Sequence, residues 1–408
     1  MNSDFLIVSS YDESCGNAYF TKALVDDISK KIQCRGIGLN IRLTQATDRS
    51  RILAADQHIK QICKELNEAR RVNIQIEPQL YGTRACDVVR RLKWLLTANR
   101  NTSATLHNTR IIGPKAPLGN ILNAIIRARL FLTIRIVRTY LREKQQIKTN
   151  HLIIETCKKL DCPIIVHTQR AKEDLEFIFN INNIFLHPLK FPIVTDSNKF
   201  TGTRDLKIIK HSLGLSENTI SIGMFGYISA YKGHEDALHA LKFLPKNYHL
   251  FIFGRQHPSS IRKDGGIDPY LERLILLTQN EGLTERVHFM GEHEPEQFAR
   301  FISAVDVCWL PYREVGQDGS GIASQCFDNA NRTICSASLA FDENLKLEPR
   351  EHIIRFDIGN YLQLANATLI AIKDQRYLNV KLDRIYTIET QTDLYLTADA
   401  RKNKIANN

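Results

Sequence analysis

The run ISIGMFG (220–226), YISAYKGHEDAL (227–238), LFIFG (250–254), RVHFMG (286–291), VDVCWLPY (305–312) and REVGQDGSG (313–321) decides the fold. Short apolar segments, three of them ending in a Gly, alternate with segments of helical apolar spacing. That order predicts a parallel sheet whose strand ends face one crevice, where open α/β sheets bind ligands. A diphosphate-bearing ligand suits such glycine turns at helix entries.

Working outward, the first half shows the same alternation. FLIVSS (5–10) reads as a buried strand, YDESCGNA as a glycine turn, and Phe20, Leu24 and Ile28 mark a helix. A helix over 51–71, a strand VNIQIE (72–77), a helix over 86–99 and a short strand ATLHNT (104–109) follow. A long helix is expected over 118–147, then HLIIETC and PIIVHT, and NIFLHPLKFP (183–192) closes the half. The polar run VTDSNKFTGTRD (194–205) reads as a linker. Strands alternating with helices in both halves predict two doubly wound α/β domains. Their expected bounds are 1–195 and 196–380, with a partly helical tail over 381–408 whose end, RKNKIANN, is frayed.

A length of 408 residues suits two domains, and 43% hydrophobic with 24% charged residues is ordinary for a soluble globular chain. Nine cysteines, scattered and without metal-type CxxC pairs, fit reduced thiols, so Cys157 and Cys162 read as small core residues. The start, MNSDFLIVSSYDES, lacks a basic n-region and reads as a first strand, and no apolar run is long enough to span a bilayer. The net charge of +11 is uneven: Arg84 to Lys148 carries 14 Lys or Arg against Asp87 and Glu143, a local +12 that leaves the remainder at −1. Charge clustered in this way points to a docking surface for something anionic.

FGYISAYKGHEDALHAL, LFIFG, LTERVHFMGEHEPEQFARFISAVDVCWLPY and GSGIASQ, in that order, resemble the nucleotide-sugar-binding domain of GT-B glycosyltransferases of the retaining family 4 type. SSYDESCGNAYFTKAL, VNIQIEPQLYG and SATLHNT resemble the acceptor domain of the same enzymes more loosely, and 110–150 is the least typical part. The resemblance implies a GT-B fold, two Rossmann-like domains facing a central cleft. It implies a nucleotide-sugar co-substrate, no cofactor and no catalytic metal.

The same resemblance distributes roles. Lys232, after Gly226 and before Gly233, matches the donor-phosphate clamp that stabilises the departing nucleotide. Tyr227 stands where the family often has an arginine, and Arg255, after LFIFG, is the candidate replacement. Gly319, Ser320 and Gly321 precede an apolar helical run, where small residues let backbone N–H groups approach phosphate oxygens. The family's paired glutamates, one for the sugar hydroxyls and one for the ribose, match Gln317 and Gln325, amides that hydrogen-bond hydroxyls without charge. Glu314, three residues before Gln317, is the candidate to take over the sugar contact, although a motif starting there would put the apolar Ile322 in second place. His107 matches a histidine near the reacting sugar, and Gly16 and Asn17 match the loop that approaches the donor phosphates.

On a helical wheel at about 100° per residue, Arg127, Arg135, Arg138 and Arg142 fall within roughly one 80° arc beside a wide apolar face. This suits a membrane-surface helix meeting anionic lipid, or an internal helix with a solvated basic edge. Nucleic acid fits poorly, because few aromatics are interleaved for base stacking. The leading expectation is a cytoplasmic glycosyltransferase at the inner face of the membrane, acting on a glycan or lipid-linked acceptor with retention. The amide pair keeps open a non-catalytic relative that binds sugar or stabilises a partner. A sugar-nucleotide epimerase on the same fold is a weaker alternative.

Overall fold

The computed structural model describes residues 4–13, 15–113, 116–256, 266–314, 318–350, 352–378 and 384–398, with only the backbone of Glu343. They form two compact units, one of residues 1–188 with 388–408 and one of residues 189–387.

The first unit has six parallel strands: β1 (Phe5–Ser9), β2 (Cys34–Gly38), β3 (Arg71–Ile76), β4 (Thr102–Leu106), β5 (Ile164–Val166) and β6 (Ile184–Leu186), ordered β2-β1-β3-β4-β5-β6. β1 and β5 are buried throughout, as strands covered on both faces must be. Val72, Ile74 and Ile76 enter the apolar core, while Asn73 and Gln75 point to the other face, opposite Ser103 and Thr105 of β4. That polar face is buried as well, and Tyr395 of the helix Ile388–Thr397 closes it with hydrogen bonds to Thr105 and Gln75. The last helix is therefore part of the first unit, also held by Thr392 on Asp27 and by the Lys31–Asp393 ion pair.

The long helix expected over 118–147 is two helices, Leu118–Ile126 and Leu130–Lys159. Ala128 adopts a left-handed conformation (φ 51°), with Arg129 N–H donating to Ala124 and Ala128 N–H to Ile125. This is the Schellman stop, made here without the usual glycine, which is why the sequence did not announce it. Arg127 is thus off the helix that carries Arg135, Arg138 and Arg142, and the four-arginine stripe does not exist as one helical face. Part of the expected basic field is also neutralised internally. Arg84 and Arg90 pair with Asp87, and the buried Arg91 donates to Asp56 Oδ1 at 2.7 Å and to the carbonyls of Tyr81, Ile52 and Thr44.

The second unit has β7 (Ile220–Phe225), β8 (Tyr248–Phe253), β9 (Val287–Gly291), β10 (Val307–Leu310), β11 (Thr333–Ser336) and β12 (Ile353–Phe356), ordered β12-β11-β10-β7-β8-β9 and all parallel. Chain order reverses between β7 and β10, so this is the switch point of a doubly wound sheet. The unit begins earlier than the sequence suggested, at Leu189. Val194 N–H donates to Asn329 at 2.8 Å, Ser324 donates to the Leu189 carbonyl, and the buried Lys190 pairs with Glu348 (2.6 Å) and Asp328 (3.3 Å). Arg350 joins this cluster at 2.6 Å from both carboxylates, so that among the described residues two cations meet two anions where burial demands pairing. The segment read as a linker is the helix Asp196–Ser212, started by Thr195, whose hydroxyl accepts from Asn198 N–H.

That helix packs on Pro295–Ala304 through Gly202, where a Cβ would stand 2.5 Å from the Arg300 carbonyl oxygen. Gly→Ala in a helix ordinarily gains about 1 kcal/mol. Here Gly202→Ala is expected to lower stability instead, by about 1–3 kcal/mol of overpacking, read as a fall in melting temperature.

Candidate functional site

Two clusters form, one at the strand ends of each unit. In the second unit β7 ends at Phe225 and Gly226 (φ 93°), and a short 3₁₀ turn, Ala230–Lys232, leads through Gly233 (φ 73°) into the helix His234–Lys242. Both glycines are demanded by close approach: a Cβ on Gly233 would lie 1.8 Å from the Pro311 carbonyl, and one on Gly226 would lie 2.7 Å from Lys232 Nζ. The turn folds Lys232 inward until it is only 4% exposed.

Its ammonium donates to the Phe225 carbonyl at 3.0 Å and to the Tyr312 hydroxyl at 2.9 Å. The third ammonium hydrogen has no partner among the described residues, and no carboxylate pairs with the charge. Tyr312 follows β10, and its hydroxyl lies 3.3 Å from Ser320 Oγ, which accepts from Ala323 N–H and so caps the helix Gly321–Asn329. Ile322 of that helix lies against Gly226. The site thus joins the ends of β7 and β10, at the switch point, to one helix N-terminus. A buried cation with a spare hydrogen beside that helix start is built for an anion. Burial lowers the pKa of Lys232, and it drives His234 down to about 3 with help from the Lys232 charge. His234 is therefore neutral, and Lys232 is the cation of this turn.

Gly226, Lys232, Ser320 and Gly321 are brought together as the sequence suggested, with Gly319 adjoining. Tyr312 was not singled out, although its place directly after an apolar strand and Pro311 was the available signal. Other candidates lie elsewhere. Arg255 stacks on Tyr227 (5.9 Å to the ring centroid) and pairs with Glu292 at 2.8 Å. Glu314 Oε2 accepts from Leu339 N–H (2.8 Å) and from Ser338 (3.3 Å), at the start of the helix Leu339–Leu347. Gln325 is buried and turns its amide toward the Gly321 carbonyl at 3.4 Å. Gln317 lies outside the described residues.

In the first unit, His107 follows β4 and His167 follows β5, with ring centroids 5.1 Å apart and Phe20 edge-on to both. His107 Nε2 lies 2.6 Å from Gln75 Oε1, and His167 Nδ1 lies 2.9 Å from the His187 carbonyl. Burial holds both rings neutral: His167 is lowered to about 4, and His107 falls well below its ordinary value with His167 adding to the effect. Gly16 and Asn17 open the helix Gly16–Ile28 after β1, on the same edge of the sheet; Asn17 accepts from Ser10 at 3.4 Å, and no atom of a described residue beyond Gly16's own turn lies within 4 Å of where its Cβ would stand.

Residues 206–324 match the family described as glycosyl transferases group 1. The fold is GT-B. The Anabaena protein HepE, solved in complex with UDP, is 13% identical with a TM-score of 0.58, covering 100% of this chain and 99% of its own. Sucrose-phosphate synthase from Thermosynechococcus elongatus is 14% identical with a TM-score of 0.61, covering 98% of this chain and 96% of its own. WaaG, a glycosyltransferase of lipopolysaccharide biosynthesis, is 12% identical with a TM-score of 0.57 over 96% of this chain and 94% of its own. At such identities the likeness establishes architecture. No curated protein matches the sequence.

The histidines set an acid limit on the fold. Those buried as neutral rings, His167 and His234 among them, have folded pKa values below the unfolded value of about 6.5. The unfolded chain then binds more protons, so this stability is complete above about pH 6.5 and is lost as pH falls toward 4. The denaturant midpoint is expected to drop between about pH 7 and pH 5, and to drop less steeply in His167→Gln.

Proposed function

We propose that the protein is a glycosyltransferase that moves a sugar from a nucleotide-sugar donor to a glycan or lipid-linked acceptor, with retention and without a catalytic metal. The observation that carries this reading is the buried, carboxylate-free Lys232 at the switch point, inside the segment matched to the glycosyl transferase family. Its spare hydrogen and the free amides at the start of Gly321–Asn329 are aimed where a diphosphate would gain charge as the glycosidic bond breaks. Tyr312 holds the ammonium against Phe225, so the charge is positioned before the donor arrives. HepE, a protein of the same architecture, has been solved with UDP-glucose. The described residues nominate no nucleophile.

One observation favours a second reading, a non-catalytic sugar-binding or partner-stabilising relative. Glu314, the candidate for the sugar contact, is engaged at a helix start, and Gln325 carries no charge. Transfer assays with purified protein separate the two. Lys232→Ala is expected to reduce transfer by about 100-fold or more with the melting temperature nearly kept, and undiminished transfer would remove Lys232 from the site. Absence of turnover with every nucleotide sugar tried, alongside nucleotide binding, would establish the non-catalytic reading.

The acceptor side includes an anionic membrane surface in this proposal. The support is the tip of the helical hairpin, where Ile126 (74% exposed), Leu130 and Phe131 (90% exposed) surround Arg127 and Arg129. These arginines, with Arg135, Arg138 and Arg142, make no ion pair among the described residues. Exposed apolar residues ringed by free cations suit insertion at a headgroup boundary. No helix among the described residues is long and apolar enough to cross a membrane. The protein is expected to sediment with vesicles containing anionic lipid, and Phe131→Ser with Arg127→Glu and Arg129→Glu should abolish it. Equal sedimentation of that variant would exclude the tip as the contact.

A further inference from the structure

The pair of imidazoles in the first unit has chemistry that a lone sugar-contact histidine lacks. A chain of hydrogen bonds starts at the Val72 carbonyl, which accepts from Ser103 Oγ at 3.3 Å. Ser103 in turn receives the Asn73 amide at 2.9 Å, and Asn73 Oδ1 receives the Gln75 amide nitrogen at 2.7 Å. This turns Gln75 Oε1 toward His107. A carboxamide oxygen only accepts, so His107 carries its hydrogen on Nε2 and keeps a lone pair on Nδ1. The His187 carbonyl also only accepts, so His167 carries its hydrogen on Nδ1 and keeps a lone pair on Nε2. His167 is 6% exposed, and its Nε2 has no partner among the described residues.

We propose that His107 and His167 form a paired acceptor site for two hydroxyl groups of a neutral sugar, held in opposite tautomers by Gln75 and by the His187 carbonyl. The inference rests on the glycosyl-transfer reading for its ligand class and extends it to His167. Two bare acceptor nitrogens on rings whose centroids are 5.1 Å apart repel phosphate and carboxylate oxygens and welcome O–H donors. A buried acceptor without a partner is costly, and a bound hydroxyl would satisfy it. Tyr395 is a positioning residue here: its hydroxyl lies 3.4 Å from the Gln75 amide and 2.9 Å from Thr105, so the last helix helps fix the amide that orients His107.

The test uses the full chain labelled with ¹⁵N-histidine, with resonances assigned by single substitution. Long-range ¹H–¹⁵N spectra should show His107 as the Nε2–H tautomer and His167 as the Nδ1–H tautomer. Adding glucose, galactose, mannose or N-acetylglucosamine in turn should move the bare-nitrogen signals upfield for at least one sugar, and inorganic phosphate should not. His167→Phe should weaken that sugar at least about 10-fold, a hydrogen bond's worth, while His167→Gln, which keeps an acceptor, should recover part of it. Tyr395→Phe should blur the His107 tautomer preference without unfolding the chain. Reversed tautomers, protonated rings at neutral pH, or no response to any of these sugars would overturn the pair. Sugar-dependent shifts in a protein without transfer activity would leave the pair standing and remove the enzyme reading. Transfer activity with the wrong tautomers would do the reverse.

Discussion

The second unit is organised around one buried charge. Lys232 lies inside the protein with a carbonyl and a phenol hydroxyl for company, and with no carboxylate among the described residues to neutralise it. Such a charge is costly to bury, and the surrounding features are the ones that make it tolerable. Gly226 and Gly233 remove the Cβ atoms that would collide with it or with its turn, Tyr312 reaches across from the next strand, and His234 stays neutral. The reversal of strand order between β7 and β10 brings those contributors to one edge. A ligand carrying the opposite charge would complete the arrangement electrostatically, as the proposed donor does.

Much of this was legible because parallel sheets announce themselves. The fully buried runs FLIVS and YHLFIF have no other comfortable environment, and a glycine after such a run marks the turn where backbone must pass closely. Gly226 is legible in this way, while Lys232 and the Gly-Ser-Gly turn are legible through the motifs that resemble the glycosyltransferase family. What could not be read was whatever depends on partners far away in sequence. Glu314 looks free on the page, but its carboxylate is engaged by residues 338 and 339. The run 194–205 looks like a linker because its apolar residues are few, yet Gly202 and Leu206 bury against the neighbouring helix. The break at Ala128 escaped because an alanine there imitates uninterrupted helix, and only backbone geometry shows otherwise.

The first unit hides its site differently. Asn73, Gln75, Ser103 and Thr105 alternate with apolar residues, the pattern of a strand with one face in water, but that face is buried too. A polar alternation within a central strand of a parallel sheet is itself a signal, since each such group must find a partner inside. The partner is supplied from the other end of the chain. Polar residues that would have been a liability in a core become a relay that settles which nitrogen of His107 carries hydrogen.

The return of the last helix to the first unit also shapes how the protein is made. Residues 1–188 leave the ribosome early, but the polar face of β3 and β4 is not closed until Tyr395 emerges, after the whole of 189–387 has been synthesised. Domains usually fold as units during synthesis, the N-terminal one first. Here the polar side chains of β3 and β4 lack their Tyr395 partner until that helix is made, while the later unit has all of its own strands. A chain synthesised only through residue 387 would therefore hold every strand of the second unit, while the polar face of β3 and β4 in the first still lacked Tyr395.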